Sequence, residues 1–429
     1  MSDTLIREYH RSREVHDKII IGGGAAGLMA AYSACKISTD GGFVPDVLLL
    51  EGKEIVGKKL AATGNGKCNF TNMYQDICCY RSDNSAKAYR IINNFDNQKT
   101  ISLFRNLGII STERKGYCYP IGEQARTFRD VLKERVISLG TVIYTEKYVI
   151  GIDKSDSVFS VTCSDLSVYY SKKLIICVGG SAAPVFGTDG NMFGLLEKMG
   201  FKIIKPKPAL CGLRTDCKYL KILEGVRLKC ECSLYSSKRG NIIYKEQGEI
   251  IFSKNGISGI PILNLSRFAI NELDDGNKCG VLLDFFPDMN LRKLKDYLTS
   301  TVISCGDGAV GVVLSALVND KLLKTLFREL SIDYDTSSKV YDVRTIRNEL
   351  GRLSEMLKSF NVNIIGDTGF ENAQTTQGGV ILKEIDENNM ESYKYPGLYF
   401  AGEVLDVDGM CGGYNLQWAW TTGYIAGRN

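Results

Sequence analysis

Near the start of the chain an apolar run, Lys18–Ile21, breaks into GGGAAG and resumes as the Ala-rich stretch LMAAYSACK. The pattern predicts a strand, a glycine turn and a helix. A loop containing Gly, Pro and Asp (DGGFVPD) leads to a second apolar strand, Val47–Glu51, which completes a βαβ unit. Residues 1–17 are polar and aperiodic and are expected to form a tail. Stretches 85–107 and 124–139 carry helical spacing, and TVIYTEKYVIGIDKSDSVFSVTC with VYYSKKLIICVGG predicts a meander ending in a buried strand. From about Lys205 the texture changes to alternating strands at 228–236, 242–246 and 249–253, each bounded by Gly, Ser or Asn. A block with Leu at helical intervals covers 291–360, and strand-and-glycine texture returns from Asn361. The expected architecture is α/β: a doubly wound domain in two pieces, 18–203 and 363–429. Between them come an inserted β-rich part, 204–288, and an inserted helical part, 289–362.

Composition narrows the chemistry more than the fold. With 429 residues, 44% hydrophobic and 24% charged, the chain has material for a sizeable core. Its 53 Lys+Arg against 49 Asp+Glu give a net charge of +4, which predicts no nucleic-acid or membrane partner. The only histidines are His10 and His16, so everything after Asp17 works without imidazole. That argues against a His-ligated metal centre, a Ser/His/Asp or Cys/His hydrolase, and a histidine base in the core; no metal is expected. The fourteen cysteines include no CxxC and follow no secretory leader, so free thiols in a reducing cytoplasm are expected. The uncharged stretch Ile19–Cys35 is centred on glycines and is short for a membrane span.

Gly22, Gly24 and Gly27 have GxGxxG spacing directly after a strand and before a helix. The first glycine permits a tight turn, the second lets backbone approach a pyrophosphate, and the third allows close helix–strand packing. The helix N-terminus adds amide donors and positive dipole. Glu51 ends the second strand, slightly beyond the usual ~20-residue spacing, where a carboxylate accepts from an adenosine ribose. An acid there favours FAD or NAD over NADP. A second GxGxxG, Gly306, Gly308 and Gly311, is followed by more helix (NDKLLKTLFREL) and predicts only a helix–turn–helix link.

The segment GKKLAATGNGKCNFTN, residues 57–72, resembles a motif of the BaiN-like (YhiN-type) flavoproteins, a family that includes aminoacetone-oxidase-type members. The resemblance continues through YCYPIGEQA (117–125), CVGGSAAPVFGTDG (177–190), GEIIFSKNGISGIPILNLSR (248–267) and PGLYFAGEVLDVDGMCGGYNLQWAWTTGYIAG (396–427). Asn65 stands where the family usually has Gly, and Lys67 where it usually has Arg, which removes a guanidinium fork. The resemblance implies a Rossmann-like FAD-binding domain of the glutathione-reductase/fumarate-reductase type with noncovalent FAD. It also implies NAD(P)H as a transient donor, since no second dinucleotide fold is visible. The implied cofactor contacts are Gly22, Gly24, Ala25, Ala26 and Gly27, then Glu51, Gly52, Lys53 and Lys59. Asn65, Gly66, Cys68 and Asn69 follow, with Val149 toward the adenine. Gly179, Gly180, Gly402, Glu403, Gly413, Tyr414 and Asn415 complete the set.

Flavin carries hydride chemistry itself, so the protein's share is positioning and any proton. Without a core histidine, the donors near these motifs are Cys68, Tyr414, Tyr119 and Asp408, with Cys68 and Tyr414 taken as the catalytic candidates. Between Lys67 and Asn69, Cys68 is either a thiol of lowered pKa or a small buried side chain packing under the flavin, and Tyr414 either reaches substrate or serves as a structural hydroxyl. Trp418 and Trp420 are expected to pack in the core. The family's activity implies reduction of a conjugated C=C in a small apolar carbonyl compound, of steroid or bile-acid type. An aminoacetone-type amine oxidase and a flavin-dependent RNA-modifying protein are the alternatives.

Overall fold

The computed structural model describes residues 15–40, 45–238, 240–337 and 342–429, without the side chains of 37–40. His10 and most of the expected tail lie outside the described residues. The chain divides into two compact units, Met1–Pro208 with Gln374–Asn429, and Ala209–Ala373. Each unit has its own apolar core.

The first unit is built on a sheet whose centre is β1 (Val15–Ile21), followed by the helix α1 (Ala25–Asp40) and β2 (Val47–Leu50). The helix α2 (Ala125–Ser138) precedes β3 (Val142–Tyr144), and a meander follows as β4 (Val149–Ser155), β5 (Val158–Cys163) and β6 (Val168–Ile176). Strand β7 (Leu398–Phe400) and the helix α3 (Tyr414–Arg428) come from the far end of the chain. The parallel strands run in the order β3, β2, β1, β6, β7. Ile19, Ile20 and Leu48–Leu50 are all buried, as a parallel sheet covered on both faces requires. Strand β1 begins at Val15, so the last three residues of the expected tail already belong to that strand.

Helices α1 and α3 lie in unusually close contact. A Cβ on Gly423 would sit 2.4 Å from the Ala26 carbonyl oxygen, and one on Gly427 would sit 2.2 Å from that of Ala30. Two glycines one helical turn apart thus make the groove that α1 fills. The tryptophans of α3 are in the core as expected, and they also tie loops together. The Trp418 indole donates to Gly402 O at 3.0 Å and that of Trp420 to Phe70 O at 2.9 Å. Gln417, fully buried, joins Thr71, Phe95, Thr100 and Thr421.

The second unit is a closed antiparallel barrel of Leu213–Thr215, Gly256–Ser258, Ile242–Ser253, Arg227–Ser236, Cys279–Asp284 and Phe360–Asp367, in that order. Alternate residues point inward with period two, among them Cys230, Cys232 and Leu234, and Val362 and Ile364. Two sequence expectations change here. Segments 242–246 and 249–253 form one twelve-residue strand, because Gly248 continues the ladder. A domain boundary at 362/363 would cut the strand Phe360–Asp367, whose pairing with Cys279–Asp284 and Leu213–Thr215 closes the barrel. The contact division therefore falls at 208/209 and 373/374.

The helices Leu291–Ser304, Val310–Ser315, Asp320–Leu330 and Val343–Lys358 come between the last two barrel strands. Asn290, Asn319 and Asp342 cap three of them by accepting from backbone N–H groups of the first turn. The second GxGxxG joins the first two of these helices, as the sequence predicts. Among the described residues no helix is long and apolar enough to cross a membrane.

Candidate functional site

The chain assembles its candidate residues where four parallel strands end. Gly22 follows β1 and donates its N–H to Leu50 O at 2.8 Å. Cys177 N bonds Ile21 O at 2.8 Å and Ala401 N bonds Ile176 O at 2.9 Å, which brings Gly179–Gly180 and Gly402–Glu403 alongside. The crevice beyond the carboxyl ends of parallel strands is the position at which this type of sheet binds ligands.

Within the first turn the three glycines have different surroundings. Gly22 is left-handed (φ +98°), and a Cβ there would meet the Cys177 carbonyl oxygen at 2.5 Å. A Cβ on Gly27 would fall 1.8 Å from Gly22 O, so no side chain fits. A Cβ on Gly24 would meet nothing within 4 Å. The outer glycines are therefore fixed by packing, while the middle one borders open space at the start of α1, where Leu28 N bonds Gly24 O. Ala25 and Ala26 form the first turn of that helix. Open space beside helix N–H groups suits a diphosphate.

Glu51 closes the turn from the other side. Its carboxylate accepts from Gly23 N and from Lys53 N, both at 2.8 Å. Burial raises its pKa above the usual carboxylate range, and these two backbone bonds oppose the rise. Its backbone carbonyl accepts from Lys147 N at 2.8 Å, and Gly52 lies against the Tyr148 ring. Val149, buried at the start of β4, is thereby next to the Glu51–Gly52 turn. Lys53 packs its stem over Gly187.

At the end of β7, Glu403 accepts from Lys59 Nζ at 3.1 Å and from Thr376 N at 2.9 Å. Thr376 Oγ1 in turn accepts from Ser181 N and Ala182 N, and Lys59 also donates to Ala182 O at 3.2 Å. A side chain at Gly180 would strike Thr376 and Glu403. Lys59 is thus an ion-pair partner as well as a cation beside the glycine turns. Thr376 is a residue that sequence reading missed; its motif, TTQGGV, offers no signal beyond two glycines.

The TGNGKCN segment turns sharply, with Gly64, Asn65, Gly66 and Cys68 all at positive φ. Asn65 and Gly66 are exposed, and a Cβ on Gly66 would meet nothing within 4 Å. The Asn69 Oδ1 atom is buried and has no hydrogen-bond partner among the described residues. A buried carbonyl oxygen without a donor is costly, so it marks a place for an N–H from a ligand. Across from it, Gly412 and Gly413, at φ +131° and +93°, open α3. Asn72 Nδ2 holds the Gly412 carbonyl at 2.9 Å.

Three assignments made from the sequence change in the structure. The Cys68 side chain is fully buried, and burial pushes its thiol up to about 12, the reverse of the lowered value suggested by Lys67 and Asn69. Lys67 instead pairs with Glu123 at 2.8 Å, so Cys68 is not an activated thiol. Tyr414 is 6% exposed and packs edge-on against Tyr80; burial and the neighbouring Cys79 push its hydroxyl far up. It serves the core, not a proton transfer. The Asn415 amide is engaged at both ends with Gly409, accepting at 2.7 Å and donating at 3.0 Å, so it fixes the approach to α3. His16 pairs with Asp46 at 2.8 Å, in the strand that precedes the glycine turn. None of the fourteen cysteines forms a disulfide among the described residues.

A Rossmann sheet with this constellation at its carboxyl edge defines an oxidoreductase with an FAD-binding fold. The family described as "HI0933-like protein Rossmann domain" matches residues 16–429, and the chain belongs to that family. It is 32% identical over 409 residues to the 3-dehydro-bile acid delta(4,6)-reductase of Clostridium scindens, covering 95% of this chain and 97% of the relative. It is 27% identical over 413 residues to a ribosomal RNA dihydrouridine synthase of Haemophilus influenzae, covering 95% and 96%. A flavocytochrome c3 fumarate reductase in its open conformation aligns with a TM-score of 0.48 at 13% identity, covering 99% of this chain and 80% of that structure.

Proposed function

We propose that this protein reduces a carbon–carbon double bond conjugated to a carbonyl, in a small apolar ring compound of steroid type. The observation that carries the reading is the full-length likeness to a reductase acting on a 3-dehydro-bile acid. FAD, bound noncovalently, would in its reduced form supply hydride, with NAD(P)H as the donor that restores that form. The residues present suit FAD: open space at Gly24, an acid at the end of β2, and the unpaired Asn69 oxygen.

In this reading Gly22, Gly24, Ala25, Ala26 and Gly27 receive the pyrophosphate, with Glu51, Gly52, Lys53 and Val149 around the adenosine. Glu403, held by Lys59 and Thr376, faces the ribityl chain with Gly179, Gly180 and Gly402. Asn65, Gly66, Asn69 and the backbone of Cys68 border the isoalloxazine. The cap formed by Gly413 and Tyr414 points the α3 dipole at the ring, where it stabilises negative charge.

A second reading rests on the ribosomal RNA dihydrouridine synthase relative. Making dihydrouridine also adds hydrogen across a C=C conjugated to a carbonyl, so the two readings share their chemistry and differ in substrate size. The near-balanced charge, +4 over 429 residues, favours the small molecule.

The test is anaerobic. NADH or NADPH should bleach the flavin's visible band, and a 3-oxo-4,6-diene steroid should restore it. Bleaching by aminoacetone and by neither nicotinamide would replace the reductase with an amine oxidase. Restoration by a uridine-containing ribosomal RNA fragment, and not by the steroid, would select the second reading.

A further inference from the structure

We propose that Tyr119 is the proton donor of this site, its hydroxyl presented to the substrate beside the TGNGK turn; the proposal rests on the reductive reading above. Tyr119 lies on the strand Tyr117–Pro120, which pairs with Ser111–Arg114 and with Thr71–Asn72. Tyr117 and Tyr119, two residues apart, share one face of that strand. The Tyr117 ring comes within 2.7 Å of a Cβ built on Gly412, and the Tyr119 ring within 3.8 Å of one built on Gly64. One strand face therefore looks at both turns assigned to the isoalloxazine.

The hydroxyl is available. Tyr119 is half-buried, and among the described residues its oxygen makes no hydrogen bond. By contrast Tyr80 donates to Gln75 and Tyr148 to Asp189, each at 2.6 Å. The other three donors considered from sequence do not offer a free acid. Cys68 and Tyr414 are enclosed in the core, and Asp408 is fully buried in a strand paired with Arg81.

Four titratable groups act on Tyr119: Lys67 from the turn, Arg114 from the paired strand, Glu123 from the loop beyond, and Cys411 from the approach to α3. Burial raises the phenol above its ordinary value, so it is protonated at neutral pH and able to donate. Cys411 and Glu123 add to the rise, while Lys67 and Arg114, both paired with Glu123, act in the opposite direction and favour the phenolate left behind. Tyr119 supplies only the proton: its O–H breaks as the α C–H bond forms, the hydride and its electron pair come from the reduced flavin, and water reprotonates the phenolate.

The test compares wild type with Tyr119→Phe, which keeps the ring against Gly64. FAD content and anaerobic reduction by NAD(P)H should be unchanged. Reoxidation by the 3-oxo-4,6-diene steroid or by the uridine-containing RNA should slow by at least about 100-fold, the usual share of a general acid. Separately, the phenolate ultraviolet band of wild type minus Tyr119→Phe should show one ionisation above neutral pH that moves higher in Lys67→Met. Equal reoxidation of the two proteins overturns the role of Tyr119 and leaves the reductive reading standing. Failure of both substrates with wild type overturns the reductive reading, and the proton donor with it. A phenol ionisation unmoved in Lys67→Met overturns the part given to Lys67 in stabilising the phenolate.

Discussion

The chain contains the same glycine spacing twice, at Gly22–Gly27 and at Gly306–Gly311, and the two copies do different work. In the first, a strand runs in, a sixteen-residue helix runs out, and Glu51 closes the far side. In the second, helices lie on both sides, and the last glycine gives room to the Tyr334 ring, which a Cβ would meet at 2.4 Å. Both turns need glycine for packing. Only the first leaves its middle glycine facing open space with an acid nearby. The spacing encodes a tight turn, and the surrounding elements decide whether that turn can hold a dinucleotide.

The largest effect is expected from Gly27→Val. A branched side chain placed 1.8 Å from the Gly22 carbonyl oxygen cannot be absorbed without parting α1 from β1. Loss of the folded first unit, or destabilisation beyond about 4 kcal/mol, is expected, read by denaturant unfolding together with flavin content. Gly311→Ala is the matching lesion in the second copy. Its neighbour is a ring that can shift, so about 1–3 kcal/mol is expected, with flavin per folded protein unchanged. Flavin loss in Gly311→Ala would erase the distinction between the two turns.

A smaller effect depends on pH. Burial raises thiols in both units: Cys118 in the first, and Cys211 and Cys279 in the second, reach about 11, and Cys68 in the first about 12. For each thiol the folded pKa exceeds the unfolded one, so its contribution is complete below about pH 9 and is lost toward pH 11. Lys18 works the other way. Buried against the last helix, with Nζ on Gly427 O at 2.7 Å, it is lowered to about 8. The folded state then binds fewer protons between pH 8 and 10.5, and stability rises with pH there. Urea unfolding of wild type should therefore lose less stability from pH 8 to 10.5 than that of Lys18→Met. Equal pH slopes in the two proteins would remove Lys18 from this balance.

Much of this was legible in the sequence because it is local. The βαβ turn, the acid at the end of β2, the cap at Gly412–Gly413 and the helix–turn–helix identity of the second glycine motif all follow from neighbours in the chain. What was not legible depends on distant partners. The alternation of Phe360–Asp367 fits either sheet, and only its pairing with Cys279–Asp284 assigns it to the barrel. Cys68 has polar neighbours in sequence, but its positive φ of 59° turns the side chain inward and Lys67 outward to Glu123. Thr376 became visible only when the chain's far end brought it beside Glu403.

The most direct test of the central claim is the FAD affinity of apoprotein carrying Gly24→Ala, measured beside Gly308→Ala. A Cβ at Gly24 touches no protein atom within 4 Å, so the apoprotein should unfold within about 1 kcal/mol of wild type. If the pyrophosphate lies in that space, FAD binding should weaken at least about tenfold, while Gly308→Ala binds as wild type does. Wild-type FAD affinity in Gly24→Ala would contradict the account.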